Sequence, residues 1–461
     1  MDNYYKTRKF KEVLRKYEDF LGNNDLGMLA TEDFADVAQY YHEQHDDEKA
    51  LEAVNKSLEV FPGSVAPLAF MSRYALLEEQ NVKKADIIAE QINDKNDPDY
   101  FLLKAEIMIV DGRVDEADDY LEEAYIGFSD DDYYDDMPLD VASLFIDYEA
   151  VEYADKWLQR SDETDEDDYL DVRARILIAN SNLDEARKVI DTLLNRDPYS
   201  TEYWNLMAVA NLFDGNYSDS ITASDYALAV DPSNGDAILN KANGMLGLEN
   251  TDAAMALFKR YANLEPDADT GYLMVGLTLL GQSRYQEAKT WLEKALKVNK
   301  SSKKPQWQNR TEILFQLAFI ENFLCHYPMA HEYLDGLAEV YKDNFSSDLN
   351  ELGQRLADVD CAQGHICLEE NNLEKAADWF EQAVYDSGDS PKILIRIAVS
   401  AFEFGYVQYA YDILHKVIYQ EGHEDEKGLQ CLSSCCKILK KDDERRWAED
   451  KLDRIFSSKD N

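Results

Sequence analysis

The chain has 461 residues, of which 45% are hydrophobic and 11% aromatic, and it contains only 19 Gly and 10 Pro. This composition can supply a continuous apolar core and favours long helices over a β-rich fold. The 93 acidic residues outnumber the 47 basic ones and give a net charge of −46. Such a field repels nucleic acids and anionic membrane surfaces, so we expect neither as a partner.

The N-terminal segment predicts a capping helix over residues 4–21, and this helix is the most basic part of the chain. No apolar signal segment comes before it. No apolar run elsewhere approaches the ~20 residues that span a bilayer. We therefore expect a cytoplasmic protein without membrane insertion.

A strongly acidic segment follows. Between Ala105 and Asp155 the only basic residue is Arg113, against 18 Asp and Glu. The densest cluster consists of Asp130, Asp131, Asp132, Asp135 and Asp136. One interpretation is a solvated surface that keeps the chain soluble. The alternative is a docking face for a basic partner. Calcium binding is not expected, because no Asp-x-Asp-x-Asp-Gly loop with a closing Glu is present.

The centre of the chain is periodic. Three prolines recur at intervals of 34 residues, and each ends a similar short sequence segment: Pro198, Pro232 and Pro266. Proline cannot continue a helix, so these positions predict helix ends. A small residue stands twelve positions before each proline, and a further one stands twelve positions before that.

The two series of small residues extend over most of the chain. The series nearer the prolines is Ala50, Ala85, Ala117, Ala154, Ala186, Ser220, Ala254, Ala288, Ala330, Ala376 and Ala410. The other is Ala38, Arg73, Ala105, Ala142, Ala174, Ala208, Ala242, Gly276, Ala318, Gly364 and Ala398, of which all but Arg73 are Ala or Gly. Two helices joined by a short turn can approach closely only where side chains are small. The pattern therefore predicts helix pairs that interlock at these positions.

This pattern resembles the tetratricopeptide repeat, a helix–turn–helix unit of 34 residues. The best copies are residues 201–234, 235–268 and 269–302. The resemblance implies an all-α fold: a right-handed α-solenoid, or superhelix, of about eleven helix–turn–helix units with capping helices. We divide the chain into an N-terminal capping helix (1–30), an array of about eight units (31–300), an array of about three units (301–424) and C-terminal capping helices (425–461).

Two polar segments, residues 298–305 and 342–348, interrupt the period. We interpret them as loop insertions. The alternative is a hinge near Lys300 that lets the two arrays change their angle.

No catalytic constellation is recognisable. His42 and His45 have i, i+3 spacing but lack the motif of zinc hydrolases, and six cysteines after residue 324 form no Cys-x-x-Cys pair. Phosphate loops, nucleophile elbows and kinase signatures are absent from the sequence. We therefore expect no enzyme activity, no cofactor and no metal.

In the resembled family, the first helices line a concave surface that binds peptides or partner helices. The register implies a groove formed by Asn205, Val209, Phe213, Asn240, Asn243, Phe315, Phe319, Asn322, Phe323 and Arg396. Asn amides can bind a peptide backbone, and Phe can anchor apolar side chains. The alternative interpretation for each Phe is core packing between adjacent units.

The resemblance implies a scaffold that binds partner proteins or peptides on the concave face, on the acidic surface, or on both. The alternative is a peptide-sensing or co-chaperone receptor that holds an extended peptide or a C-terminus in the groove. A carboxylate-binding clamp would need basic residues across three units. Asn240 and Lys241 supply only fragments of it, and the next unit offers Leu273 and Met274.

Overall fold

The computed structural model describes residues 3–23, 29–44, 46–128, 132–162, 164–302, 305–346 and 348–459. Over these residues the fold is all-α, as expected, and comprises 25 α-helices with four short 3₁₀ or π segments. The chain divides into two compact units, Met1–Leu264 and Glu265–Asn461. Within the described residues, no helix is both long enough and apolar enough to cross a membrane.

The first unit contains fifteen α-helices. They are α1 (Arg8–Asn23), α2 (Thr31–Glu43), α3 (Asp47–Val60), α4 (Val65–Arg73), α5 (Val82–Ala89), α6 (Pro98–Val110), α7 (Val114–Gly127), α8 (Met137–Asp147), α9 (Val151–Leu158), α10 (Asp167–Ala179), α11 (Leu183–Arg196), α12 (Thr201–Phe213), α13 (Tyr217–Val230), α14 (Gly235–Gly247) and α15 (Thr251–Leu264).

The second unit contains ten. They are α16 (Thr270–Gly281), α17 (Tyr285–Ser301), α18 (Trp307–Phe323), α19 (Tyr327–Asn344), α20 (Leu349–Glu369), α21 (Leu373–Asp386), α22 (Pro391–Glu403), α23 (Val407–Leu414), α24 (Glu426–Leu439) and α25 (Asp442–Lys459).

From α2 onward, the helices pack in consecutive pairs joined by short turns, as in α2 with α3, α12 with α13 and α20 with α21. First helices also contact the first helices of the next pair, as in α12 with α14 and α20 with α22. Each unit is therefore built by neighbour-to-neighbour packing, which is how repeat proteins bury a continuous core.

The small residues mark the pair contacts, and their predicted burial is confirmed. All eleven positions of the second-helix series, from Ala50 to Ala410, are at most 1% exposed. In the first-helix series, Gly276 and Gly364 show why size matters. A Cβ added to Gly276 would lie 2.7 Å from Leu292 Cδ2, and one added to Gly364 would overlap the Phe380 ring. A larger side chain would hold these helices apart.

The expectation for Arg73 is wrong. Arg73 is partly exposed, and its Nε lies 2.7 Å from Glu106 Oε2. The small buried residue at this contact is Ser72, whose Oγ donates a 2.8 Å hydrogen bond to the carbonyl oxygen of Ala85. A π-helical turn, Tyr74–Glu78, follows α4 and contains the extra residue. The register is therefore displaced by one residue in this pair.

The prolines end helices as predicted. Helices α11, α13 and α15 stop two residues before Pro198, Pro232 and Pro266, respectively. The segments expected to be loops are partly helical instead. Helix α17 continues to Ser301, and α19 continues to Asn344. Helices α17 to α20 have 17 to 21 residues, against 13 or 14 in most regular pairs, so longer helices contain much of the added sequence. Lys303 and Lys304 lie outside the described residues.

Candidate functional site

Three phenylalanines lie exposed along one side of α18. Phe315, Phe319 and Phe323 follow at intervals of four residues, which brings them to the same face of a helix. Their exposed fractions are 42%, 48% and 55%. Ile313 and Leu317, on another face of α18, are fully buried and supply its core contacts. About half of each ring is therefore open to solvent, and Phe323 also packs on the ring of Tyr285, with 4.1 Å between the ring centroids.

A cavity of about 430 Å³ borders the three rings, with residues of α18, α20 and α22 in its wall. We call it the phenylalanine groove. Its lining residues used below are Phe315, Phe319, Asn322, Phe323, Cys361, His365, Glu369, Arg396 and Ser400. A second cavity of about 240 Å³ continues it and shares Phe315 and Arg396. The structure thus brings five of the ten predicted groove residues together in the second unit.

The side of the groove opposite α18 is polar. Arg396 Nη1 lies 2.5 Å from Oδ1 of Asp358. His365 Nδ1 lies 3.2 Å from Ser400 Oγ, and His365 Nε2 lies 3.6 Å from a carboxylate oxygen of Glu369. A bound segment would therefore meet aromatic rings on one side and hydrogen-bonding groups on the other. Such a combination of apolar lining and few placed polar groups is typical of ligand-binding clefts.

Asn322 adds an unsatisfied acceptor to the groove. Its Oδ1 is buried and has no hydrogen-bond partner among the described residues. Leaving a buried acceptor unpaired costs about 1–3 kcal/mol. Asn322 borders the cavity, so rotation of its side chain would present the amide to the backbone of a bound chain and remove that cost.

Cys361 does not supply a nucleophile to the groove. Burial raises the pKa of its thiol to about 12. The side chain therefore stays a neutral thiol near neutral pH, because the reactive species of cysteine is the thiolate. It contributes an apolar surface to the floor of the cavity.

The other five predicted groove residues lie on α12 and α14 of the first unit. Asn205 Nδ2 donates a 3.1 Å hydrogen bond to Asn234 Oδ1, which also accepts from the backbone N–H of Ala237 at the start of α14. Asn205 thus supports a helix cap. Of the remaining four, Phe213 is 69% exposed and Asn240 is buried. Val209 and Asn243 are intermediate in exposure.

The clamp fragment at Lys241 is engaged within the protein. Its Nζ lies 2.6 Å from Oδ1 of Asp225. A ligand carboxylate would have to compete with this partner for the ammonium group, so the geometry gives no support to a carboxylate clamp at this position.

The acidic cluster is only partly described. Asp130 and Asp131 lie outside the described residues, and Asp132 begins a short 3₁₀ helix, Asp132–Tyr134. Asp135 and Asp136 are exposed before α8. The docking role of this cluster therefore stays a prediction.

Several site residues were not identified from the sequence. His365, Glu369 and Ser400 belong to the phenylalanine groove. They occupy first helices, where the repeat register could have indicated them. His365 directly follows the small residue Gly364.

The first unit has its own cavity, of about 410 Å³, lined by residues that include Asp36, His42, Arg73 and Glu78. His42 Nε2 lies 3.2 Å from Glu78 Oε1, and His42 Nδ1 lies 2.9 Å from Asp47 Oδ1. His45, the second histidine of the motif considered above, lies outside the described residues.

Known solved structures resemble the chain only distantly. The pilF protein of Pseudomonas aeruginosa is 17% identical, with 49% of this chain and 94% of that chain covered and a TM-score of 0.38. The Cut9–Hcn1 hetero-tetramer of the APC/C is 14% identical, with 93% of each chain covered and a TM-score of 0.36. A tetratricopeptide repeat protein from Parabacteroides merdae is 13% identical, with 58% and 97% covered and a TM-score of 0.41. No curated protein sequence matches.

Two sequence profiles of the tetratricopeptide repeat match the chain, at residues 172–237 and 270–302. The first match spans α11, α12 and α13 with most of α10, and the second spans α16 and α17. Proteins with this repeat generally mediate protein–protein interactions. The chain therefore contains tetratricopeptide repeats at residues 172–237 and 270–302, and consecutive helix pairs with a buried small residue at each second-helix position continue on either side of them.

Proposed function

We propose that this protein is a non-enzymatic cytoplasmic scaffold, which holds an extended segment of a partner protein in the phenylalanine groove. The observation that carries the proposal is the row of three exposed rings, Phe315, Phe319 and Phe323, beside the cavity. Exposed apolar clusters rimmed by polar groups are characteristic of protein-binding surfaces. Aromatic anchors commonly dominate the energetics of such surfaces.

The chemistry of the groove indicates the kind of segment it would accept. The three rings favour apolar side chains, and the Asn322 amide, which can both donate and accept a hydrogen bond, favours a peptide backbone. The net charge of −46 favours a partner segment that is neutral or basic over an acidic one. A receptor for a bare C-terminal carboxylate is less well supported, because Asp358 lies beside Arg396 in the groove and Asp225 beside Lys241.

The test begins with peptides selected from a random display library on the full-length protein. Their dissociation constants are then measured by fluorescence anisotropy for the wild type and for variants. We expect Phe319→Ala to weaken binding by about 30-fold, because a hot-spot aromatic contributes about 2 kcal/mol. We expect Asn322→Ala to weaken it by about tenfold, as the loss of one buried hydrogen bond predicts.

The matched control is Tyr385→Ala. Tyr385 is an aromatic residue of the same unit, 81% exposed on α21 and outside the lining of the groove. It should leave the affinity unchanged. If no peptide is enriched, or if Tyr385→Ala weakens binding as much as Phe319→Ala does, the proposed groove is wrong.

A further inference from the structure

A histidine, a cysteine and a glutamate converge between α19 and α20, away from any motif visible in the sequence. His331 lies on α19, Cys367 lies near the end of α20, and Glu370 directly follows α20. One ligand atom from each lies within 4.8 Å of the other two. The Cys367 Sγ to His331 Nε2 distance is 3.9 Å, and the His331 Nε2 to Glu370 Oε2 distance is 3.5 Å.

These separations match the edges of a zinc coordination tetrahedron. Zinc bonds of about 2.0 Å to nitrogen or oxygen and about 2.3 Å to sulfur, at tetrahedral angles, hold neighbouring ligand atoms about 3.3–3.6 Å apart. The distances from His331 Nε2 to Cys367 Sγ and to Glu370 Oε2 need shorten by only a few tenths of an ångström to reach these values, and the third separation, between Cys367 and Glu370, is within 4.8 Å. Three protein ligands also leave a fourth position for water, which is the usual arrangement of an open zinc site.

The histidine is already oriented for coordination. Gln363, which is only 1% exposed, accepts a hydrogen bond on its Oε1 from Nδ1 of His331. Its Nε2 donates to Asp335 Oδ1 at 2.8 Å, which fixes the amide with its oxygen toward the ring. With the proton held on Nδ1, the lone pair of Nε2 faces Cys367 and Glu370. A second hydrogen-bonded partner of this kind is a regular feature of metal-binding histidines.

The burial of the three residues suits an ion that enters from solvent. Cys367 is 1% exposed, whereas the side chains of His331 and Glu370 are 24% and 27% exposed. The thiol therefore lies at the closed end, and the imidazole and carboxylate lie at the open end.

We propose that His331, Cys367 and Glu370 bind one Zn²⁺ ion. On binding, the thiol proton of Cys367 leaves to solvent and an Sγ–Zn bond forms. Thiolate with imidazole and carboxylate is a donor set that zinc prefers over magnesium or calcium, which take oxygen ligands. The ion joins the second helix of one pair to the first helix of the next. This inference does not rest on the phenylalanine groove, and it departs from the expectation of no metal drawn from the sequence.

The test uses the full-length protein after treatment with a chelator. Zn²⁺ is titrated in competition with a chromophoric chelator, and Co²⁺ is titrated separately to detect thiolate-to-metal charge-transfer absorption. We expect one equivalent of each ion to bind. Cys367→Ala should abolish the charge-transfer band, and Glu370→Gln should weaken Zn²⁺ binding at least about tenfold. Gln363→Ala should weaken it by about 10- to 100-fold, the usual effect of losing the hydrogen-bonded partner of a metal-binding histidine.

Cys361→Ala is the matched control, because Cys361 is a buried cysteine on the same helix and lies outside the cluster. It should retain both the stoichiometry and the absorption band. Circular dichroism checks the folding of each variant. If Cys367→Ala does not fold, Glu370→Gln decides the matter alone, because Glu370 is partly exposed. The proposal fails if the wild type binds no equivalent of Zn²⁺, if its Co²⁺ form lacks the thiolate band, or if Glu370→Gln binds Zn²⁺ as tightly as wild type.

Discussion

Asp360 is a carboxylic acid in an apolar setting. It is 7% exposed on α20. Burial, and then the nearby carboxyl of Asp386, raise its pKa from 3.8 to about 7. Below about pH 4 the group is protonated in both the folded and the unfolded chain. Between about pH 4 and 7 the unfolded chain loses this proton more readily than the folded chain does. Stability therefore falls as pH rises through this window and is constant above it.

Replacing Asp360 should remove this loss. We expect Asp360→Asn to be more stable than wild type at pH 8 by on the order of 2 kcal/mol, with the difference shrinking toward about pH 4. Urea unfolding at several pH values measures it. In Asp386→Asn the pKa of Asp360 should be lower, because the neighbouring negative charge is gone. The loss of stability should therefore end at a lower pH than in the wild type. If Asp360→Asn and wild type lose stability in parallel from about pH 5 to 8, Asp360 does not cause the loss.

Residue-level prediction from the sequence succeeded where a residue type recurs in register. The small residues were found in this way. The three phenylalanines of α18 were also selected by register, and their role in binding stays a prediction. It did not find His331, Cys367 and Glu370, because the histidine lies 36 residues before the cysteine and their proximity depends on how two pairs pack. Asp360 could not be singled out among 93 acidic residues, because its burial is visible only in the fold.

At the scale of elements, the α4–α5 pair departs from the rule that places its contact residues twelve positions apart. Ser72 and Ala85 are thirteen apart, and the π-helical turn Tyr74–Glu78 between them takes up the additional residue. Single-residue insertions into helices commonly produce such turns. Arg73, at the regular spacing, is the one residue of its series that is not small, but only the packing shows that Ser72 takes its place.

Deleting Leu77 should convert this turn to regular α-helix and restore the spacing of twelve. We expect the deletion to change the free energy of unfolding by no more than about 1 kcal/mol, because Leu77 is partly exposed. The matched deletion is Phe213, which is also exposed and follows Ala208 by five residues, as Leu77 follows Ser72. This deletion would reduce the spacing between Ala208 and Ser220 from twelve residues to eleven.

The Phe213 deletion removes the last residue of α12 and shortens the connection to α13, so that Ala208 and Ser220 no longer lie in register. We expect it to cost at least about 3 kcal/mol, as disruption of core packing does. Urea unfolding of both deletion variants gives the comparison. Equal losses would show that the turn does not arise from one extra residue.

At the scale of the whole molecule, the net charge of −46 should make stability depend on salt. Repulsion among the acids destabilises the folded chain at low ionic strength. Screening shortens the Debye length from about 30 Å at 0.01 M to about 10 Å at 0.1 M. Screening also weakens surface ion pairs, but each of these contributes only about 0–1 kcal/mol.

We therefore expect the thermal midpoint to rise by a few degrees between about 0.01 and 0.1 M NaCl. Circular dichroism at fixed pH measures it, and KCl at equal concentration should have the same effect as NaCl. A midpoint that falls with salt would indicate that the ion pairs outweigh the repulsion.

The fold class could be predicted from the sequence because the same pair of small residues, twelve positions apart, recurs in most helix pairs. The division into arrays at residues 300 and 301 stays a prediction. The lengths of α17 to α20 were not foreseen, because polar residues suit an exposed helix turn as well as a loop.

The π-helical turn after α4 confines the effect of one additional residue to a single helix pair. The extra residue enters between Ser72 and Ala85, and the next pair is already regular, since Ala105 and Ala117 are twelve residues apart and fully buried. The one-residue displacement of the register is therefore not passed on to the later pairs. The alignment of each later pair is set by its own residues, independently of the total length of chain that comes before it.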